Sequence, residues 1–343
     1  MAAYPDLLRR VLNGGSLSAE ESAATMGAIV DGTLSSAQAA GILVGLAARG
    51  ETIDEVIGAA RAMRQRALRV EHDLPLVIDI VGTGGDGSRS INISTAAALV
   101  VAGAGVPVAK HGNRAASSAC GSADVLEALG VPLNSDPSEA AELLTRHRIA
   151  FLFAPRYHPA FKAAAAVRSE LGVRTIFNLL GPLCNPARAQ RQLVGVFGET
   201  QVDLVAEALQ GLGAEEGAVV HSASGMDEVA GEGPTSVAQF NRHDIRRWSL
   251  NPEEYGIRAS LDELRGGDPA TNAALILAIL RGEPSPRADV VALNAALALV
   301  VAGSAEDVEE GLSRARRSIS DGAAMAALEA LRGSQVFEAG IHD

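Results

Sequence analysis

The first seventy residues carry hydrophobic positions at helical spacing, separated by polar residues and glycines. Each apolar run follows a Ser or Thr with Glu or Gln three positions later, the spacing of a capping box. These pairs are Ser18 with Glu21, Ser35 with Gln38 and Thr52 with Glu55, and Gly14, Gly15, Gly32 and Gly50 separate the runs. The pattern predicts a leading unit of three or four short helices, and we assign residues 1–70 to a small helical domain.

Beyond residue 70, short aliphatic runs alternate with longer runs of helical periodicity. Strand-like runs lie at 149–153, 193–197 and 218–221, and helix-like runs at 160–171 and 202–212. The runs 237–240 and 245–250 are typical of a hairpin or a mixed sheet edge, and a helical portion follows at 269–331. Alternation of this kind is typical of βαβ units and a parallel sheet. The predicted fold class is α/β, with a central, mostly parallel sheet in a larger domain over residues 71–343.

One strand-like run, residues 76–81, ends abruptly in a glycine-rich turn. Gly82, Gly84, Gly85 and Gly87 follow it, and Asn92, Ser94 and Thr95 open the apolar run 96–102, which is a predicted helix. Glycines let backbone N–H groups approach an anion closely, and a helix N-terminus favours phosphate. Neither the dinucleotide-binding nor the P-loop glycine motif is present. Because tight turns also demand glycine, this loop alone leaves a purely structural turn open.

A second polar cluster favours the phosphate interpretation. Only two of the 29 Lys and Arg residues are lysines, and Lys110 opens a segment that continues through His111, Asn113 and Arg114. The preceding residues 106–109 form a predicted strand, which places this segment at the same carboxyl edge as the glycine loop, where α/β sheets bind ligands. Ser117, Ser118 and Ser122 precede the apolar run 125–129, so a second helix N-terminus could face the same ligand.

With these motifs the chain resembles the anthranilate phosphoribosyltransferase family. The matching segments occur in family order along nearly the whole chain: Gly82-Thr-Gly-Gly-Asp86, Asn92-Ile-Ser-Thr95, Lys110-His-Gly-Asn-Arg114, Gly121-Ser-Ala-Asp124, Phe177-Asn-Leu-Leu-Gly-Pro182 and Asp227-Glu228. Departures are small: Ser90 and Ile91 stand where Thr and Phe are expected, and two alanines, Ala115 and Ala116, occupy a pair of positions that varies in the family. The resemblance implies transfer of a 5-phosphoribosyl group from phosphoribosyl pyrophosphate to anthranilate, in tryptophan biosynthesis.

The resemblance also implies the substrate contacts. Those expected for phosphoribosyl pyrophosphate are Gly82, Gly85, Asp86, Ser90, Asn92, Ile93, Ser94, Thr95, Lys110, His111, Gly112, Asn113, Arg114, Ala115, Ala116, Ser117, Ser118 and Ser122. Those expected for anthranilate are Gly82, Asn113, Arg168 and His111, with Tyr157, His158 and Pro182 as candidate apolar walls. Taken alone, Arg168 is more simply an exposed helix charge, and His111 a structural hydrogen-bonding residue.

Metal binding is expected at the carboxylates. Asp227 and Glu228 follow a predicted strand and should lie at the sheet's carboxyl edge. An isolated pair of acidic residues is usually a solvated turn, but Mg²⁺ often bridges one or two carboxylates to substrate phosphates. The resemblance implies two Mg²⁺ ions per subunit, with Ser94 reaching the second. No catalytic side chain is expected, because the neutral arylamine can attack without a strong base; positioning and electrostatic stabilisation carry the reaction.

The resemblance further implies a homodimer formed through the helical domain, which a later segment near residues 160–190 joins. Composition limits the other partners. The net charge of −12 argues against a nucleic-acid partner. Cys120 and Cys184 form no disulfide framework or metal motif, and we expect both thiols in the core. We find no export signal and no apolar run long enough to span a membrane, so we expect a cytoplasmic protein without a membrane partner.

Two other functions fit parts of the pattern. A pyrimidine nucleoside phosphorylase shares the general architecture, but we expect it to have a longer carboxyl-terminal domain and a different lysine-containing loop. A non-enzymatic relative that binds nucleic acid would carry a basic helical face and eroded substrate motifs. The length of 343 residues and the segment from Lys110 to Arg114 disfavour the phosphorylase, and neither a basic helical face nor eroded motifs appear in the sequence.

Overall fold

The computed structural model describes residues 4–115 and 119–333, except for the side chains at positions 162 and 163. Four helices come first: α1 (Tyr4–Leu12), α2 (Ala19–Val30), α3 (Ser36–Arg49) and α4 (Ile53–Gln65). The three predicted capping boxes are all present, at the starts of α2, α3 and α4. The prediction of a leading helical unit is therefore confirmed.

Helices α2 and α4 approach each other closely at a glycine. A Cβ at Gly58 would lie 2.2 Å from the carbonyl oxygen of Ala19 and 2.7 Å from the Cβ of Ser22. Ser22 itself donates a hydrogen bond from its Oγ to the carbonyl of Glu55 at 2.6 Å. Gly58 therefore sets the distance between these two helices, because no larger residue fits at the crossing.

Seven strands form one sheet. They are β1 (Ile78–Gly82), β2 (Val108–Gly112), β3 (Ile149–Phe153), β4 (Arg191–Gly195), β5 (Glu216–Ser222), β6 (Thr235–Asn241) and β7 (Ile245–Leu250). The strand order is β3-β2-β1-β4-β5-β6-β7; the first five run parallel, and β6 and β7 continue the sheet as an antiparallel hairpin. The predicted fold class is confirmed. Because the chain leaves β1 for β2 and later returns beside it as β4, the strand order reverses there, where α/β sheets place ligands.

Helices cover both faces of the sheet. They are α5 (Ile93–Gly103), α6 (Ser122–Ala128), α7 (Pro137–His147), α8 (Ala154–Tyr157), α9 (Phe161–Leu171), α10 (Phe177–Leu183), α11 (Thr200–Gly211), a 3-10 turn (Pro252–Tyr255), α12 (Leu261–Leu264), α13 (Pro269–Leu280), α14 (Pro286–Val301), α15 (Val308–Ser320) and α16 (Ala323–Arg332). Ile80 and Leu193 pack in the core formed with α5 and α14, whereas Val81 and Val194 share a core with α10, α11 and the leading helices. Cys120 and Cys184 are buried, as expected.

The segment between β3 and β4 lies against the leading helices. Helix α9 contacts α2 and α3, and α10 contacts α4. Ala164 and Val167 of α9 belong to the same hydrophobic cluster as Met26 and Leu43. Helices α9 and α10 are therefore anchored on the leading helices. The division at residues 70 and 71 stays a prediction.

Strands β2 and β4 are among those whose bounds differ from the prediction. Strand β2 continues through Lys110, His111 and Gly112, because these residues pair with β3 up to Phe153, whereas the polar pattern predicted its end at Ala109. Strand β4 spans Arg191–Gly195 rather than 193–197, since its register follows β1 and β5 on either side. Long-range pairing outweighed the local pattern in both places. Within the described residues, no helix combines the length and apolar character required to cross a membrane.

Candidate active site

A cavity of about 500 Å³ opens at the carboxyl ends of β1 and β2 and extends to α9 and α10. It collects nearly all described residues predicted to bind substrate or metal. These are Gly82, Gly85, Asp86, Ser90, Asn92, Ser94, Thr95, Lys110, His111, Gly112, Asn113, Arg114, Ala115, Ser122, Arg168, Asp227 and Glu228. Residues far apart in the chain meet here because parallel strands present their carboxyl ends at one edge of the sheet.

A few predicted positions fall elsewhere. Ile93 is fully buried, does not line the cavity, and its N–H donates to the carbonyl of Ile91 at 2.8 Å, so its proposed substrate contact is not supported. Tyr157 is also buried away from the cavity, with its hydroxyl donating to the Ser135 carbonyl at 3.0 Å, whereas His158 and Pro182 line it. Ala116, Ser117 and Ser118 lie outside the described residues.

The acidic pair lies between the glycine loop and the first turn of α5. Gly84 donates its backbone N–H to Oδ2 of Asp227 at 2.7 Å, and Ser94 donates its N–H to Oε1 of Glu228 at 2.9 Å. Burial and the neighbouring Asp86 carboxylate raise the pKa of Asp227 to about 7. Burial beside Asp227 also raises the pKa of Glu228 well above its usual range. These carboxylates are therefore crowded acidic groups that a cation would stabilise.

Two paired glycines make room for Asp227. Gly82 and Gly195 are register partners at the ends of β1 and β4. A Cβ at Gly82 would lie 2.4 Å from Oδ2 of Asp227, and one at Gly195 would lie 1.4 Å from the Asp227 carbonyl oxygen. The loop after β5 thus packs directly on the bare backbone of two neighbouring strands.

Lys110 supplies a buried positive charge beside these acids. Its Nζ donates to the carbonyl of Ile80 at 2.7 Å and lies 3.5 Å from Oγ of Ser94. Burial lowers its pKa, while the charges of Asp79, Glu228 and Asp227 oppose that shift. Asp79 accepts hydrogen bonds from the backbone of His111 at 3.1 Å and from Asn185 Nδ2 at 2.7 Å. The carbonyl of Ile80 therefore fixes the position of the lysine ammonium group.

Some polar side chains at the cavity are already engaged. The guanidinium of Arg114 pairs with Asp124 at 2.9 Å and with Glu127 at 2.8 Å, outward from the cavity on α6. Asn92 donates from Nδ2 to the Cys120 carbonyl at 3.0 Å and accepts from Asn272 at 2.9 Å. In this arrangement both side chains order the loops around the cavity.

At the opposite end, four rings form a row. The centroids of His111 and His158 are 5.1 Å apart, those of His158 and Phe161 5.4 Å, and those of Phe161 and Phe177 5.9 Å. The guanidinium of Arg168 lies over Phe177, 5.3 Å from the ring centroid. Its pKa is lowered by burial, and among the described residues no carboxylate pairs with it. A wall of mutually tilted rings, with interplanar angles of 59°, 78° and 63°, therefore ends in a cation available to an incoming anion.

His111 is held neutral in this row. Its Nδ1 lies 3.0 Å from the Gly181 carbonyl, which can only accept, so Nδ1 carries the proton. Burial lowers the pKa of His111 to about 3, and Nε2 is buried without a hydrogen-bond partner in the described part of the chain. The ring therefore presents a hydrogen-bond acceptor.

Sequence comparison decides the family. Residues 74–325 match the family model described as "Glycosyl transferase family, a/b domain", and residues 5–67 match "Glycosyl transferase family, helical bundle domain". The chain is 47% identical to an anthranilate phosphoribosyltransferase of Rhodopseudomonas palustris, covering 96% of this chain and 98% of that protein. It is 49% identical to one of Thermomicrobium roseum, covering 95% of each. The chain belongs to the anthranilate phosphoribosyltransferase family. The resemblance inferred from the sequence motifs is confirmed.

Solved structures of this family agree in fold. The anthranilate phosphoribosyltransferase of Thermus thermophilus matches with a TM-score of 0.91 at 45% identity, covering 96% of this chain and 99% of that one. The enzyme of Saccharomyces cerevisiae in complex with phosphoribosyl pyrophosphate and Mg matches with a TM-score of 0.88 at 26% identity, covering 96% and 97%. The same yeast enzyme in complex with 4-fluoroanthranilate matches with a TM-score of 0.87 at 25% identity, covering 96% and 97%.

The acidic pair fits a magnesium ion that also binds substrate. Each carboxylate uses one oxygen on a backbone N–H, which leaves hard oxygen ligands in a buried site. Among the described residues, no three His, Cys, Asp or Glu side chains are arranged to hold a metal by themselves. An ion at Asp227 and Glu228 would therefore complete its coordination with water and substrate phosphate oxygens, as Mg²⁺ commonly does.

Some residues that line the cavity were not predicted from the sequence as substrate contacts. Phe177 was noted only as the start of a family segment and Phe161 was not singled out, because their rings become a wall only through the packing of α9 and α10. Arg89 lines the cavity in a left-handed conformation, φ +55°, which is unusual for a residue with a side chain. Arg89 lies within the predicted glycine loop, but the phosphate site was predicted from the glycines of that loop and not from this arginine.

Proposed function

We propose that the protein transfers the 5-phosphoribosyl group of phosphoribosyl pyrophosphate to the amine of anthranilate, releasing pyrophosphate. One observation carries this proposal: a single cavity joins a glycine loop with buried acids and a lysine to a row of rings ending in Arg168. The first end suits a metal-bound phosphate ester, and the second suits an aromatic carboxylate. The names and bound ligands of the related proteins support the same pair of substrates.

At the phosphate end, backbone and side-chain donors converge on one side of the cavity. The glycine loop, the segment from Asn92 to Thr95 and the segment that opens with Lys110 all line this end of the cavity. Lys110 and the loop amides stabilise the negative charge that develops on pyrophosphate as its bond to ribose C1 breaks. Gly82, at the end of β1, lies next to Asp227, where a side chain would displace the carboxylate.

At the aromatic end, the anthranilate carboxylate pairs with Arg168 and its ring lies along the wall of His111, His158 and Phe177. The guanidinium lies over one ring and has no acidic partner in the described part of the protein, so a carboxylate would complete its hydrogen bonding. Asn113 lies on the loop between the two ends and is assigned to both substrates. Neutral His111 offers its Nε2 as an acceptor toward the ligand.

The chain's own residues act mainly by positioning. The arylamine nitrogen is neutral near pH 7, so it attacks C1 without prior removal of a proton by a strong base. Alignment of two bound substrates can lower a barrier by roughly 7–11 kcal/mol. The buried acids and Lys110 raise the polarity of the phosphate end, while the rings keep the acceptor end apolar, so each substrate has one favourable position.

The proposed cofactor is Mg²⁺, with two ions per subunit. Asp227 and Glu228 would hold one ion, and Ser94, whose Oγ lies 3.5 Å from Nζ of Lys110, would contribute to the second. When bound, the metal neutralises pyrophosphate charge and stabilises the leaving group. The crowding that raises the pKa values of both carboxylates would be relieved by this cation.

We further propose a cytoplasmic homodimer that does not bind nucleic acid. Leu12 at the end of α1 is 68% exposed and Val44 on α3 is 42% exposed, so apolar side chains are displayed by the leading helices. Burial of such residues favours association of two copies. Light scattering should give twice the chain mass, and Leu12→Asp with Val44→Asp should shift it to the monomer. A monomeric wild-type protein would contradict this part of the proposal.

The test of the reaction follows anthranilate fluorescence after mixing the protein with phosphoribosyl pyrophosphate and Mg²⁺. We expect metal-dependent loss of the signal, abolished by EDTA and by the double variant Asp227→Asn/Glu228→Gln. Arg168→Ala should raise the KM for anthranilate much more than the KM for phosphoribosyl pyrophosphate. No loss of signal from folded wild-type protein that still binds phosphoribosyl pyrophosphate would assign the cavity to another acceptor.

A further inference from the structure

We propose that Arg174 is a positioning residue that fixes one peptide of the glycine loop in the orientation needed to bind phosphoribosyl pyrophosphate. This inference rests on the proposed function, which supplies the ligand of that loop. Arg174 lies in the connection between α9 and α10 and does not line the cavity itself. Its action on substrate is therefore indirect.

The side chain of Arg174 is held by two contacts. Its guanidinium lies over the ring of Phe197, 4.3 Å from the centroid, and its Nη2 donates a hydrogen bond to the carbonyl of Gly85. Within the described residues no carboxylate pairs with it. The contact with the ring fixes the plane of the guanidinium, and within that plane an N–H group donates to the Gly85 carbonyl.

The carbonyl that Arg174 holds belongs to a glycine pair with left-handed backbone. Gly84 and Gly85 have φ values of +69° and +74°, a region that glycine enters and leaves easily. The Gly85–Asp86 peptide could therefore rotate without an external restraint. The hydrogen bond from Arg174 to the Gly85 carbonyl restrains that rotation.

Holding the carbonyl also orients the groups that follow it. In a planar trans peptide the C=O and N–H point to opposite sides, so the N–H of Asp86 faces away from Arg174. Oδ2 of Asp86 accepts from the backbone N–H of Asp227 at 3.3 Å, and Oδ1 accepts from Ser88 at 3.1 Å. The restraint from Arg174 thus continues through Asp86 to the proposed metal-binding loop.

The location of Arg174 links the two substrate ends. It follows α9, which carries Arg168, and precedes α10, which carries Phe177. Movement of this connection when an aromatic carboxylate binds would therefore be transmitted to the Gly85–Asp86 peptide. By reciprocity, ordering of the loop by phosphoribosyl pyrophosphate would favour the position of Arg168.

The test compares Arg174→Ala, Arg174→Lys and Phe197→Leu with a matched control, Arg246→Ala. Arg246 is an exposed arginine on edge strand β7, outside the cavity lining. Calorimetric binding of phosphoribosyl pyrophosphate with Mg²⁺ needs no acceptor, so it decides the role of Arg174 even if anthranilate proves to be the wrong acceptor. Steady-state KM values and thermal unfolding are measured on the same proteins.

Arg174→Ala should weaken phosphoribosyl pyrophosphate binding by roughly 2–10-fold, the range expected for a solvent-exposed hydrogen bond. Its melting temperature should stay near that of wild type. Arg174→Lys should restore part of the affinity, because an ammonium still donates to the carbonyl but lacks the stacking plane. The affinity of Phe197→Leu for phosphoribosyl pyrophosphate should lie between those of Arg174→Ala and Arg174→Lys. Wild-type affinity in Arg174→Ala, or equal losses in Arg246→Ala, would overturn the proposal, as would a drop in affinity that accompanies general unfolding.

Discussion

Replacing Gly82 by alanine tests how the acidic pair is positioned. The added Cβ would lie 2.4 Å from Oδ2 and 3.1 Å from Cγ of Asp227. Since real Cβ contacts are essentially never shorter than 3.0 Å, the carboxylate must move by at least about 0.6 Å. That movement lengthens and misaligns the 2.7 Å hydrogen bond from the Gly84 N–H and displaces a proposed metal ligand.

The magnitude follows from the contact that is lost. A hydrogen bond to a charged group contributes about 1.5–3 kcal/mol, which corresponds to roughly 10–100-fold in an equilibrium constant. We therefore expect the Mg²⁺ concentration for half-maximal activity to rise by that factor in Gly82→Ala. The backbone of β1 keeps its pairing with β4, so the fold should survive the change.

The assay is a Mg²⁺ titration of the initial rate at saturating concentrations of both substrates, with circular dichroism to check folding. Gly181→Ala is the matched control, because it adds the same methyl group to the cavity lining but meets no atom within 4 Å. Its Mg²⁺ dependence should equal that of wild type. A folded Gly82→Ala protein with an unchanged Mg²⁺ requirement would refute the placement of Asp227 as a metal ligand.

Three further changes test separate parts of the structure. Lys110→Met should lower kcat/KM for phosphoribosyl pyrophosphate by about 10²–10³-fold in steady-state assays, because it removes the buried cation at the leaving group; a loss below tenfold would contradict that role. Burial lowers the pKa of His158 to about 4, so below about pH 6.5 the unfolded chain binds a proton that the native state does not, and native stability falls as pH falls. Denaturation of wild type and His158→Phe should therefore show wild type losing on the order of 2–3 kcal/mol relative to the variant between pH 7.5 and 4.5; a constant gap would exclude this titration. Gly58→Ala should lower the free energy of unfolding, measured in urea, by about 1–3 kcal/mol, because the added methyl group overpacks α2 against α4. A variant as stable as wild type would contradict the close packing of these two helices.

The motifs predicted from the sequence converge on one cavity because of simple topological rules. Glycine after a β-branched run marked the end of β1, and the run 106–109 before Lys110 marked the next strand, which the structure extends to Gly112. Both were expected at one sheet edge, where the structure places them.

Local signals determined the elements. The capping boxes before α2, α3 and α4 involve residues three positions apart, and hydrophobic periodicity reports the buried face of a helix or strand. These features depend on near neighbours in the chain, so the sequence alone sufficed to predict the leading helices, the α/β class and the final hairpin.

Tertiary structure decided the arrangement of charges and rings. Arg114 belongs to the predicted phosphate segment, yet its guanidinium pairs with Asp124 and Glu127 on α6. Phe161 and Phe177 become one wall, and Arg174 reaches Gly85 across 89 positions of the chain. Such contacts depend on how distant segments pack, because the direction of a side chain and the partners within its reach are set by the whole fold rather than by the residues beside it.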